Sequence, residues 1–133
     1  KLITRETGEE VAWPEGFVDW KIYSWDLQEP VLRNILQSND TVFVGGINGN
    51  QHDYYNLFDT IIALTLTPQE HMQRLQARPR RNAGDSDKNM QDRITKYPIL
   101  LQRFLDAGAI PVDASGTPEQ VALRVLEAIG YER

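Results

Sequence analysis

Three runs of apolar residues lack the alternation of a half-exposed strand. Thr41-Val42-Phe43-Val44 ends at Gly45-Gly46, DTIIALTL spans 59–66, and Ala109-Ile110-Pro111-Val112-Asp113 is a shorter third. Short continuous apolar runs predict strands buried on both faces, as in parallel sheets. Pro111 has no N–H to give and marks the third run as an edge strand. Thr67-Pro68-Gln69-Glu70 and Thr117-Pro118-Glu119-Gln120 follow the second and third runs. Each offers Thr as N-cap, Pro in the first helical position and Glu or Gln in the third, a helix-start signature. Val121, Val125, Leu126 and Ile129 give the last helix its apolar face, and Gly130 stops it. Met90, Ile94, Tyr97, Leu101 and Phe104 recur at steps of four and three. That stripe predicts a helix of about 20 residues ending near Gly108, which Pro98 should kink or split. An earlier helix is expected from Asp26, as N-cap, through Pro30, Val31, Leu32, Ile35 and Leu36 to about Gln37.

The resulting order is helix, strand, strand, helix, long helix, strand, helix. Strands of the buried type alternating with helices predict an α/β fold with a parallel sheet. The link at 47–58 is just long enough for a short crossover. Residues 1–25 carry Trp13, Trp20 and Trp25 among Pro14, Gly16 and acidic residues. They read as a loop whose aromatics either plug onto a core or wall a ligand.

Composition narrows the function. With 133 residues, 41% hydrophobic and 25% charged, the chain fits a single domain, 1–133, with a core of its own. A net charge of −5 disfavours a nucleic-acid coat, because polyanions call for a cationic face. No apolar run approaches the roughly 18–20 residues of a membrane span, so no membrane partner is expected. The absence of cysteine removes thiolate chemistry and suits a reducing, cytoplasmic setting. His52 and His71, the only histidines, are far apart and suggest no metal site.

Against the acidic background, four arginines, Arg74, Arg78, Arg80 and Arg81, fall within eight residues. Pro79 ends their helix, and NAGDSDKN continues as a polar loop. Guanidinium forks bind phosphate bidentately, so an arginine-bearing loop between helices suits a phosphate clamp. The plainer alternative is a solvated basic patch paired with Asp85, Asp87 and Asp92. Gly45–Asn50 (GGINGN) and Asp113–Pro118 (DASGTP) follow buried-type runs, where open α/β sheets bind ligands. Both loops also read as plain turns.

Together these stretches resemble a family. LFDTIIALTLTPQEHMQRLQARPRRNAG (57–84) resembles the strand, helix and lid entry of P-loop small-molecule kinases, the group of the nucleotide, shikimate and gluconate kinases. DASGTPEQVALRVLEAI (113–129) resembles their final strand end, adenine-side loop and last helix, and VFVGGINGN (42–50) their third strand. RETGEEV (5–11) and the Trp-rich stretch after it look like a substrate-side region of ATP-binding proteins in this group. The resemblance implies a three-layer P-loop NTPase-like fold, a parallel sheet flanked by helices. It implies ATP and Mg²⁺ as cofactors and phosphoryl transfer to a small metabolite, nucleoside or nucleotide. It places Arg78 and Arg81 as catalytic clamps and Arg74, Arg78, Arg80, Asp113, Ser115 and Gly116 on ATP. Gly46, Asn48, Asn50, Trp20 and Trp25 would face the acceptor. Residues 1–40 would form the substrate side and 41–133 the remaining core, with a lid at about 78–90. The phosphate loop GxxxxGK[ST] does not occur, and no glycine precedes a lysine. The first strand and helix are therefore expected upstream of Lys1, in ~35–45 further residues by usual element lengths. This chain alone is expected to be inactive. The alternative is a non-catalytic nucleotide- or phosphate-binding module without that loop.

Overall fold

The computed structural model of the chain describes residues 1–131. They form two compact units, Lys1–Leu57 and a second beginning at Phe58.

In the first unit, β1 (Leu2–Thr4) pairs antiparallel with β2 (Tyr23–Trp25), in register Leu2↔Trp25 to Thr4↔Tyr23. Leu2 on β1, Ser24 on β2 and Val18 between them in sequence are buried. The helix α1 (Glu29–Gln37) starts later than the sequence suggests. Gln28 is its N-cap with no side-chain bond, and Asp26 instead accepts from the Ser24 hydroxyl at 2.5 Å. Only Leu32 of its apolar face is buried; Val31 and Ile35 are exposed. The run at 41–44 is not a strand. It pairs with nothing among the described residues, and Phe43 is 62% exposed. Apolar content alone does not make a strand, because each N–H and C=O still needs a neighbour. The link at 47–58 holds a 3-10 turn, Gln51–Leu57.

The second unit is built on two parallel strands, β3 (Ile62–Thr65) and β4 (Ile110–Asp113), in register Ile62↔Ile110 to Thr65↔Asp113. The N–H groups of Ile110 and Ala114 donate to Ile61 and Thr65, so Pro111 turns its missing donor away from β3. The expected three-layer sheet is thus not what forms. The fold is mixed α/β with one two-stranded parallel sheet and one two-stranded antiparallel sheet. The reason lies in the missing strand pairing at 41–44.

Helices α2 (Pro68–Ala77) and α4 (Pro118–Ala128) begin where the sequence places them, and both capping boxes form. The Thr67 and Thr117 hydroxyls accept from the N–H groups of Glu70 and Gln120 at 3.2 Å each. Between them α3 (Asp87–Asp106) runs unbroken through Pro98. Met90 is its buried anchor, and Ile94, Tyr97, Leu101 and Phe104 are half-buried along the expected stripe. Tyr97 closes the sheet edge opposite β4: its hydroxyl donates to the Leu64 carbonyl at 3.1 Å and accepts from the Leu66 N–H at 3.3 Å. No described helix is long and apolar enough to cross a membrane.

Candidate functional site

Two clefts open at the carboxyl ends of β3 and β4, where strand ends project backbone groups and short loops toward a ligand. One, about 560 Å³, is lined by Thr65, Leu66, Thr67, Glu70, Asp113 and Ser115. The other, about 520 Å³, is lined by Leu64, Arg74, Ala114, Gly116, Pro118, Val121 and Ala122, and is mainly apolar with one guanidinium beside it.

The loop between the clefts is held from both sides. Arg74 on α2 donates to the Gly116 carbonyl at 3.3 Å. Arg124 on α4 donates to the carbonyls of Asp113 at 3.0 Å and Ser115 at 2.6 Å. Gly116 sits at φ +89°, where a side chain is strained, and a Cβ there would collide with the Gln120 amide. The Ser115 N–H and hydroxyl donate to Asp113 at 2.9 and 2.8 Å and hold its carboxyl below the usual range.

The second cluster surrounds Asp85, at the end of a 3-10 turn (Ala83–Asp85) between α2 and α3. Asp85 is 5% exposed. The Arg81 N–H donates to its Oδ2 at 3.1 Å, while Arg78 Nε and Arg93 Nη1 lie 3.9 and 3.7 Å from Oδ1. Arg80 donates to the Asp85 carbonyl and pairs with Asp87 at 2.6 Å. Arg78 is the C-cap of α2 in an extended conformation, as expected before Pro79, so it turns away from Arg74 toward Asp85. Burial, then the Arg78 charge, lowers Arg93 from its ordinary value. Arg93 lies one turn of α3, about 6 Å, before Tyr97, which ties this cluster to the end of β3.

His71 packs edge-on against Tyr97 with ring centroids 4.8 Å apart. Its buried Nδ1 meets no partner among the described residues. Burial, then the Arg93 charge, lowers its pKa.

The second unit therefore gathers the expected nucleotide-side residues into two groups. Arg74, Asp113, Ser115 and Gly116 meet at the strand ends, and Arg78, Arg80 and Arg81 meet at Asp85. The paired-patch alternative is present in part: Asp85 and Asp87 do hold arginines, but Asp92 pairs with Lys96 at 2.9 Å. Sequence reasoning missed Arg93 and Arg124. Both are single arginines on predicted helices, and only the turn of each helix reveals what they face.

The expected acceptor residues belong to the first unit and have local duties. The Asn50 side chain accepts from the Leu27 N–H at 2.8 Å and donates to its carbonyl at 3.1 Å, which fixes both ends of its amide. Asn48 donates its N–H to Gln51 at 2.8 Å. Gly46 is exposed in the unpaired segment. The carbonyl of Trp20 accepts from Arg5 at 2.9 Å, and Trp25 faces Trp13 with ring centroids 5.4 Å apart. Compared with protein-family models, curated proteins and solved structures, the chain matches none.

Proposed function

We propose that the second unit binds the phosphates of ATP, as the C-terminal part of a P-loop-type kinase for a small metabolite, nucleoside or nucleotide. The observation that carries this reading is the pair of guanidiniums, Arg78 and Arg93, held against one buried carboxylate a helical turn from the strand ends. Their donor set fits a phosphate. The mainly apolar cleft beside Arg74 and Gly116 suits a planar base. Mg²⁺ fits less well: among the described residues no three His, Cys, Asp or Glu side chains cluster to hold a metal. The ion belongs to this reading only as a companion of the nucleotide's own phosphates. The acceptor side rests on the family resemblance alone.

Calorimetry at low salt tests the reading. Wild-type chain should bind ATP and, more weakly, tripolyphosphate, without turnover, since a loop of the type GxxxxGK[ST] is not among these residues. Arg78→Ala should weaken both ligands. ATP affinity equal to that of tripolyphosphate would remove the base site, and no binding of either would overturn the proposal. A coding sequence upstream of Lys1 that lacks the loop would favour a non-catalytic phosphate-binding module.

A further inference from the structure

Asp85 is the only acidic side chain buried among the described residues. A carboxylate taken from water is costly unless charges and hydrogen bonds replace its hydration. Here the replacement has an unusual form. One backbone N–H, from Arg81, makes a hydrogen bond of 3.1 Å. The two guanidiniums stay at 3.7 and 3.9 Å, ion-pair rather than hydrogen-bond distances. A closed bidentate pair would engage a whole guanidinium fork. At the observed separations the carboxylate attracts both arginines while leaving their N–H groups uncommitted to it. One negative charge facing two positive ones leaves a net positive site. Without Asp85, Arg78 and Arg93 would repel each other.

We infer that Asp85 is a positioning residue whose buried carboxylate holds the Arg78 and Arg93 guanidiniums side by side, so that one phosphate group bridges both. The inference rests on the phosphate-binding reading above. It assigns a cause to the clamp's geometry, and it makes Arg93 an equal member.

Asp85→Asn separates two roles because it keeps size and an acceptor oxygen but removes the charge. If Asp85 only neutralised the arginines, its loss would leave a more positive site and tighten anion binding. Positioning predicts the opposite: tripolyphosphate affinity falling by about tenfold at low salt, with partial recovery in Asp85→Glu. Melting without ligand is measured in parallel, because a purely structural role lowers the melting temperature and leaves the affinity of folded protein unchanged. Unchanged or tighter binding by Asp85→Asn, while Arg78→Ala and Arg93→Ala lose it, overturns the inference and leaves the phosphate reading standing. No binding by wild-type chain overturns both. If Asp85→Asn does not fold, a double-mutant cycle replaces it. Bridging requires Arg78→Ala and Arg93→Ala to be coupled, the double variant binding within about threefold of the weaker single one. Additive losses overturn the inference.

Discussion

Two loops of the second unit are held by arginines, in opposite ways. At residues 113–117 the guanidiniums of Arg74 and Arg124 are bonded to backbone carbonyls, with contacts down to 2.6 Å. Around Asp85, Arg78 and Arg93 stand 3.7–3.9 Å from their acid. The first pair fastens a loop through Arg74 Nη2 and Arg124 Nη1. The second pair is gathered but not closed. The comparison teaches that a cluster of arginines is not one feature. Arg74 and Arg78, four residues apart, serve different structures because Arg74 lies within α2 whereas Arg78, held extended by the following Pro79, leaves it.

The difference is sharpest in ligand binding. Arg78→Ala is expected to weaken tripolyphosphate by at least about tenfold, the scale of a lost charge-assisted hydrogen bond, whereas Arg124→Ala leaves it unchanged by calorimetry. Equal losses would erase the distinction. Stability should show the reverse. Gly116→Ala forces a side chain into φ +89° against Gln120 and is expected to cost about 1–3 kcal/mol in urea melts. Arg124→Ala removes two carbonyl bonds and should cost about 1–2 kcal/mol by the same measurement. Thr117→Ala and Thr67→Ala, which remove the hydroxyl halves of the capping boxes, should each cost about 1 kcal/mol.

A smaller effect concerns pH. His71 is lowered from its ordinary value of 6.5 by burial and Arg93. The unfolded chain therefore takes up the proton first, so the stability His71 contributes is present above about 6.5 and lost as pH falls toward its folded value. Melting of His71→Phe, which keeps a ring against Tyr97, should depend less on pH below that point than wild type. An unchanged slope would show that His71 is not the group responsible.

Much of the second unit was legible in the sequence. Thr-Pro entries followed by Glu or Gln, and a stripe at steps of four and three, are local signals, and local hydrogen bonds and one apolar face fulfil them. Two kinds of feature were not legible. Strands of three residues, such as Leu2–Thr4 and Tyr23–Trp25, are too short to carry a period. The segment at 41–44 shows the converse, a strand-like composition with no pairing partner among the described residues. At the site, the arginine-rich stretch and the strand-end loop were visible, but the hub was not. Asp85 reads as one acid in a polar loop, and only burial against Arg93, from another helix, gives it a distinct role.

The hydroxyl of Tyr97 has a consequence for how the molecule meets other chains. By donating to Leu64 and accepting from Leu66 it satisfies the same pair of groups that a neighbouring parallel strand would engage. An unpaired sheet edge is a template for aggregation, and a single phenol here covers one carbonyl and one N–H of that edge. Any polypeptide that extends the sheet at β3 must first displace that ring. Slow amide exchange at Leu66, at the margin of a two-stranded sheet, would be the signature of the ring remaining in place.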